Sequence, residues 1–412
     1  MKTYLVGGAV RDYLLNRPVK EKDWVVVGET PESMIAQGFK PVGKDFPVFL
    51  HPQSHDEYAL ARTERKTAPG YKGFAVHASP DVTLEEDLIR RDLTINAMAM
   101  DEDGVIIDPY HGRRDLEQRI FRHISPAFSE DPVRILRVAR FAARYAHLGF
   151  TLAPETRDLM ELMVRNGEAE HLVAERVWAE LHRALLEPTP TAFFRTLKEC
   201  MALDSIFPEI ARLFGVPQPA QYHPEIDTGL HTMMVLEQAA LLSDKAEVRL
   251  AALLHDLGKG LTPTEDWPFH HAHEKNGLPV LEQFCERLRV PKHFKTLSQQ
   301  VMRYHTHCHR VTELRANTLV DVLQALNAFK PKHNLEDFLL ACKADMRGRK
   351  GFEHKAYPQA KYMAEAAAAA AAVDTSEAVK SGLKGAQIGA AIRNLRIAAI
   401  KRFIAQRKTK LE

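Results

Sequence analysis

Apolar positions recur along this chain with two different periods. Over roughly the first 120 residues they form short β-rich runs at 4–6, 24–27, 57–61, 74–77, 97–100 and 105–107, the last two flanking the turn pair Asp103-Gly104. Runs of this length broken by turn residues predict a small mixed sheet with flanking helices. From about Asp131 the spacing becomes helical: Val133, Leu136, Val138 and Phe141 form one stripe, and Val177, Leu181 and Leu185 another. The fold class expected is therefore α+β, a small mixed-sheet head followed by an all-α body. Proline-rich breaks at 188–190 and 214–219 punctuate the body, and a boundary is placed near 220. The segments expected are 1–125, 126–220, 221–350 and 351–412. The alanine run at 366–372 predicts helix, because alanine has the highest helix propensity.

Length and composition agree with this division. A chain of 412 residues exceeds what one core usually serves, and 45% hydrophobic with 27% charged residues is ordinary for a globular protein. No stretch approaches the roughly 18 apolar residues of a membrane helix, and the start at Met1 runs at once into Gly7-Gly8 rather than a signal-peptide core, so a cytoplasmic location without membrane contact is expected. Cys200, Cys285, Cys308 and Cys342 are far apart with no CxxC pair, which predicts reduced thiols. A net charge of +2 supplies no global field, so nucleic-acid contact would need local basic patches. The basic C-terminus, with Arg393, Arg396, Lys401, Arg402, Arg407, Lys408 and Lys410, reads first as a solvated helix face and second as an RNA backbone contact.

Chemistry concentrates in a few motifs. The first strand runs into Gly7-Gly8, where backbone can approach a phosphate without a Cβ in the way, and Arg11 adds a cation one turn on. Glu21 and Asp23 stand at i and i+2 leading into an apolar strand, so an extended chain puts both on one face; paired acids repel unless a cation lies between them, and oxygen donors suit Mg²⁺. Further on come Arg90-Arg91-Asp92, Asp108-Pro109-Tyr110 and Glu130-Asp131-Pro132-Val133-Arg134, followed by Arg137 and Arg140.

In order and spacing these motifs resemble the class II CCA-adding tRNA nucleotidyltransferases of the polymerase-beta superfamily, and the likeness extends through the chain. The resemblance implies a palm at 1–125, a helical nucleotide-recognition neck at 126–220, and Mg²⁺ held by Glu21 and Asp23. It implies that the triphosphate of CTP or ATP meets Gly8 and Arg11, that Arg91 meets the sugar or phosphate, that Arg137 and Arg140 contact the nucleotide, and that the tRNA 3′-hydroxyl attacks in line with loss of pyrophosphate. The family usually has Asp where Glu21 stands, one methylene longer, so ligand placement must adjust. Asp131 and Arg134, three apart on an expected helix, would offer an acceptor beside donors. Cytosine and adenine show amine then ring nitrogen, complementary to that pair; uracil and guanine show the reverse. One carboxylate and one guanidinium would thus select C and A, unless they form no more than a helical salt bridge.

A second constellation follows: His231, then Leu254-His255-Asp256-Leu257-Gly258-Lys259 after an apolar run, and later Asp345. Imidazole and carboxylate together could enclose one divalent metal whose bound water attacks a phosphoester. This resembles the HD phosphohydrolase superfamily, which implies an HD domain at 221–350, a divalent transition metal such as Ni²⁺ or Mn²⁺, and phosphatase or 2′,3′-cyclic phosphodiesterase activity. Of the further histidines, His270, His271, His273, His305, His307 and His309 are too many for one site; His305 and the His273-Glu274 pair are the candidates for substrate contact. The expected partners are tRNA, CTP and ATP, with monomer and homodimer both open. Two other readings share part of the pattern: a poly(A) polymerase, which ordinarily lacks the HD constellation, and an RNA-binding protein with weakened catalysis, for which Glu21 is the motive.

Overall fold

The computed structural model describes the chain apart from residues 20, 43–46, 67–73, 381–382 and 410–412. Contacts divide it into two compact units, Met1–Ile206 and Phe207–Glu412. The division lies ahead of the break expected near 220, because the chain from Phe207 already packs on second-unit elements: Phe207 lies against Phe284, and Gly229 closes on the Phe214 ring.

The first unit begins as a mixed sheet. Strands β1 (Lys2–Val6), β2 (Asp23–Val27), β3 (Lys40–Pro41), β4 (Val48–Leu50), β5 (Glu57–Leu60), β8 (Ala99–Met100) and β9 (Ile106–Ile107) take the order β3-β4-β5-β2-β1-β8-β9. β6 (Thr63–Lys66) and β7 (Phe74–His77) form a separate ribbon. β1 runs antiparallel to β2 and β8, while β2 runs parallel to β5 with Asp23 opposite Glu57. Both sheet faces are covered. Val25 packs with Val6, Leu88 and Ala97 on one side, and Val26 with Met34, Phe49 and Leu60 on the other, as the two-residue period of a strand requires. The expected strand at 97–100 is shorter than read, since Thr94–Asn96 form a 3₁₀ turn first.

The helical stripe read from Val133 onward is the helix Val133–Tyr145, with Ile135, Leu136, Val138 and Ala139 buried against helices Ala174–Leu186 and Thr191–Glu199. Its other positions carry Arg134, Arg137, Arg140 and Arg144.

In the second unit, helices Thr228–Leu242, Ala246–Leu254, Lys292–His309 and Leu335–Arg347 pack together, and Val248, Leu297, Val301 and Phe338 run on into a core that includes Ala366, Ala367, Ala370 and Ile400. One face of the alanine run, Ala366, Ala367 and Ala370, is therefore core: helix Pro358–Ala371 packs on the C-terminal helix Ala386–Thr409. On that last helix Arg393 pairs with Asp321, Arg396 lies 3.9 Å over the Phe329 ring, and Arg407 pairs with Glu365. The side chain of Lys408 and the whole of Lys410 fall outside the described residues. All four cysteines are buried free thiols. Among the described residues no helix is long and apolar enough to cross a membrane.

A tight contact fixes the segment after His255-Asp256. The 3₁₀ turn Leu257–Leu261 lies against helix His273–Arg287 through two glycines; a Cβ on Gly258 would collide with the His273 carbonyl oxygen and come within 2.8 Å of Gly277 N. Gly258→Ala is accordingly expected to lower the unfolding temperature, at a cost of roughly 1–3 kcal/mol typical of overpacking. A thermal melt equal to that of the parent would show that this approach is not tight.

Candidate functional site

The first unit encloses a cavity of about 940 Å³ at the end of β1 and β2. It brings together Gly8, Arg11, Glu21, Asp23, Arg91, Asp131, Arg134, Arg137 and Arg140, whereas Asp108, Tyr110 and Glu130 of the same motifs are not among its lining residues. Gly7 turns the chain out of β1 at φ 69°, and a Cβ there would stand 2.9 Å from Arg91 Nη1, so only glycine leaves room for that guanidinium. Arg11 is buried and held from several sides: Nη1 donates to Asn96 Oδ1 at 2.6 Å, Nε donates to Asp12 at 3.0 Å, and the guanidinium lies over the rings of Phe141 and Tyr145.

Asp23 opens β2, and Glu21 stands two residues before it on exposed chain. Burial raises the Asp23 carboxyl above its ordinary range, with Arg91 opposing and Glu21 adding to the rise. The side chain keeps solvent-accessible area, yet the cavity walls remove enough hydration to set that direction. Sequence reasoning missed a third acid. Glu57 begins β5 in register with Asp23 and lines the same cavity. Residues in register on adjacent strands share a face, but no local pattern shows which strands pair. Glu21, Asp23 and Glu57 line the same cavity with hard oxygen donors of the type Mg²⁺ takes, although among the described residues their carboxylates do not close into one tight ligand group.

The pair expected to select the base, Asp131 and Arg134, is built differently from the expectation. Asp131 is not on the helix: it has extended backbone (φ −121°, ψ 106°) between the 3₁₀ turn Pro126–Glu130 and the helix that starts at Val133. Three-residue helical adjacency therefore does not apply, and Asp131 pairs with Arg176 rather than Arg134. Arg176 donates through both terminal nitrogens, at 3.1 and 2.8 Å, and Asp131 Oδ1 also accepts from Val133 N. Arg134 instead donates to the carbonyl oxygens of Ala127 at 2.8 Å and Arg90 at 2.5 Å. Both still line the cavity. Arg137 donates to Asp92 at 2.8 Å, and Arg140 to the buried Glu180 at 2.6 Å. Burial alone would push the Asp92 carboxyl up; Arg137 and Asn96 more than reverse this and hold it well below the usual carboxylate range. Arg176 was missed too, although its i, i+4 spacing to Glu180 places both on one helix face.

In the second unit His231, His255, Asp256 and Asp345 converge as read. His231 Nε2 is 3.2 Å from Asp345 Oδ1, and His255 Nε2 is 3.0 Å from Asp256 Oδ2 and 3.7 Å from Asp345 Oδ1, all four residues being buried. Burial opposes ionisation of both acids, but His255 and Lys259 beside Asp256, and His309 and His255 beside Asp345, hold them well below their ordinary range. His255 Nε2, Asp256 Oδ1 and His273 Nε2 are buried without a hydrogen-bond partner. Imidazole and carboxylate atoms left unpaired in a shared hollow fit a divalent transition metal.

The remaining histidines separate sharply. His273 and His305, expected at the substrate, reach inward to Asp256 Oδ1 at 3.2 and 3.6 Å, while Glu274 accepts from Thr306. His309 was passed over, yet its Nε2 lies 2.6 Å from Asp345 Oδ2, with Tyr357 OH 2.8 Å from its Nδ1. Glu225 was also missed: it stands 2.9 Å from His231 Nδ1, the position from which a carboxylate fixes a ligand tautomer. His270 bonds Thr262 and the Pro217 carbonyl instead.

Known proteins correspond to both halves. The family profile described as the Poly A polymerase head domain matches residues 3–122, that described as the probable RNA and SrmB-binding site of polymerase A matches 149–214, and the HD domain matches 228–329. The Multifunctional CCA protein of Methylococcus capsulatus is 63% identical over 409 residues, covering 99% of this chain and 96% of that one. Its namesake from Thioalkalivibrio sulfidiphilus is 59% identical over 406 residues, covering 98% and 99%. Among solved structures, the Bacillus stearothermophilus CCA-adding enzyme in complex with CTP shares the fold at a TM-score of 0.64 and 22% identity, covering 99% of this chain and 93% of that one. The Thermotoga maritima CCA-adding enzyme complexed with tRNA does so at 0.62 and 18%, covering 100% and 92%. Identity of this degree along nearly the whole length leaves one conclusion: the chain belongs to the multifunctional CCA protein family.

Proposed function

We propose that this chain, in the cytoplasm, adds or repairs the 3′-terminal CCA of tRNA from CTP and ATP without a nucleic-acid template, and that its second unit hydrolyses phosphoesters, 2′,3′-cyclic phosphates among them. One observation carries the reading: a single cavity gathers the acids that suit Mg²⁺ and the arginines that suit a triphosphate, in a chain whose relatives are named for CCA. Within that reading residues 1–125 serve as palm and 126–220 as neck, with 221–350 as the HD part and 351–412 as a helical tail able to meet tRNA.

Glu21, Asp23 and Glu57 are the residues that would hold Mg²⁺, which when bound activates the tRNA 3′-hydroxyl and neutralises the triphosphate for in-line attack. The protein's own part is positioning. Gly7 and Gly8 let phosphate oxygens approach Arg11 and Arg91 closely, and Asn96 with the Phe141 and Tyr145 rings keeps Arg11 in place before a nucleotide arrives. Asp131, oriented by Arg176, offers an acceptor to an exocyclic amine, and Arg134, oriented by two backbone carbonyls, offers donors to the adjacent ring nitrogen. In the second unit His231, His255, Asp256 and Asp345 would hold the transition metal, Ni²⁺ or Mn²⁺, that supplies an activated water. A poly(A) polymerase is the nearest rival; it would add A alone and run on. Incubating pure protein with tRNA lacking CCA and labelled CTP and ATP separates the two, since only a CCA-adding enzyme incorporates C, C and A and stops.

Asp23→Ala is expected to abolish CTP and ATP incorporation, a loss of at least about a thousandfold in kcat, while leaving hydrolysis of a 2′,3′-cyclic nucleotide at the parental rate. Loss of both activities in a folded variant would contradict two separate sites. His255→Ala should do the reverse, removing divalent-metal-dependent hydrolysis and sparing CCA addition. Hydrolysis at the parental rate in that variant would remove the HD cluster from consideration as a catalytic site.

A further inference from the structure

Asp345 presents its two oxygens to different neighbours. Oδ1 faces the cluster, 3.2 Å from His231 Nε2 and 3.7 Å from His255 Nε2, whereas Oδ2 lies 2.6 Å from His309 Nε2. The acid is buried, so these contacts rather than water settle which oxygen points inward. His309 ends helix Lys292–His309, four residues on from His305, and its other ring nitrogen faces the Tyr357 hydroxyl at 2.8 Å. Tyr357 comes from a different element. It stands just before helix Pro358–Ala371, beyond the residues that the HD profile matches, and it too is buried.

Hydrogens can be placed along this chain of contacts from its acceptors. A carboxylate oxygen has only lone pairs, and the contact of His309 Nε2 with Asp345 Oδ2 has the length and geometry of a hydrogen bond, so Nε2 carries the hydrogen and donates it. In the neutral ring Nδ1 then accepts. The Tyr357 hydroxyl has one hydrogen and two neighbours for it, His309 Nδ1 at 2.8 Å and Cys308 Sγ at 3.3 Å; sulfur is the poorer acceptor, so the hydrogen goes to the imidazole. His309 is thus arranged differently from His255 and His273, whose Nδ1 atoms face backbone carbonyls and whose Nε2 atoms lie near Asp256 without a hydrogen bond. Among the described residues His309 also joins none of the groups of donor atoms close enough to share an ion.

We propose that His309, oriented by Tyr357, is a positioning residue for the metal site of the second unit: its hydrogen bond occupies Asp345 Oδ2 and so fixes the carboxylate with Oδ1 toward His231 and His255. This rests on the metal reading of the HD cluster given above and adds to it two residues that are not ligands. Glu225 has the corresponding place behind His231, 2.9 Å from its Nδ1. Because Tyr357 follows residue 350, the support of the metal site extends into the segment expected to be a helical tail.

The test titrates metal-free, full-length protein with Co²⁺, whose visible absorption reports a ligand set containing nitrogen, and takes as the signal of this cluster the part that His255→Ala removes. His309→Ala should weaken the Kd by about 10- to 100-fold, the usual cost of losing a partner behind a ligand, while the spectrum at saturation keeps the parental band positions because no ligand is lost. His309→Gln, whose amide can still donate to Asp345, should recover part of that affinity, and Tyr357→Phe should weaken the Kd by about tenfold. An unchanged Kd in His309→Ala or in Tyr357→Phe overturns the proposal. So does a shifted spectrum in saturated His309→Ala, which would make His309 a ligand. If Tyr357→Phe fails to fold, the two His309 variants decide, and equal affinities in them overturn the positioning role. A parent without His255-dependent absorption overturns the metal reading itself, an outcome distinct from all of these.

Discussion

An ionised carboxylate taken out of water costs several kcal/mol unless cations or hydrogen bonds meet it, and the first unit's cavity is organised by that requirement. Asp92 is nearly buried and kept ionised by Arg137 and Asn96; Glu180 is buried against Arg140; Asp131 is gripped by both terminal nitrogens of Arg176. Each pair fixes an arginine that would otherwise sample many rotamers. The helix Val133–Tyr145 can then be apolar where it packs and cationic where it faces the cavity, with its guanidiniums placed before a polyanionic substrate enters. Charge held in place in advance avoids reorganisation at the moment of reaction, which is the chief way a protein assists phosphoryl and nucleotidyl transfer.

The second unit meets the same requirement by other means. Asp256 and Asp345 are as buried as Asp92, but their neighbours are imidazoles and Lys259, whose ammonium lies 2.6 Å from Asp256. Backbone carbonyls face the outer Nδ1 of His255 and His273, and the Nε2 of each ring is directed at Asp256. The imidazole and carboxylate atoms gathered there are a donor set of the kind a metal takes, whereas the arginine-lined cavity presents cations of the kind a phosphate takes. The donor types diverge accordingly: oxygens alone beside β2, nitrogens with oxygens in the HD cluster, so the two sites need not take the same ion.

What the sequence made legible was what depends on local spacing. The change from short β-rich runs to helical stripes near Asp131 placed the head and the body, and Gly7-Gly8, Arg91 and His255-Asp256 stand where short motifs placed them. What it hid depends on pairing across the fold. Glu57 reads as a polar residue at the start of a strand until β5 is found parallel to β2. Asp131 reads as helical until a 3₁₀ turn is found to end just before it, which leaves its carboxylate to Arg176 instead of Arg134. The histidines illustrate the same divide. His305 and His309 are four apart on helix Lys292–His309 and so share a face, a signal present in the sequence, but that this face points at Asp256 and Asp345 is decided by packing.

The central claim is that the protein itself reads the incoming base through Asp131 and Arg134, and nucleotide preference tests it most directly. The measurement is kcat/KM for CTP, ATP, UTP and GTP on a tRNA lacking CCA, in the parent and in Arg134→Ala. Removing the donors to N3 of cytosine or N1 of adenine forfeits a hydrogen bond to a charged group worth roughly 1.5–3 kcal/mol, so the preference for CTP over UTP should fall by about one to two orders of magnitude. If all four constants decline in proportion and the preference is unchanged, Arg134 does no more than brace Ala127 and Arg90 by their carbonyls, and the protein-template account is wrong.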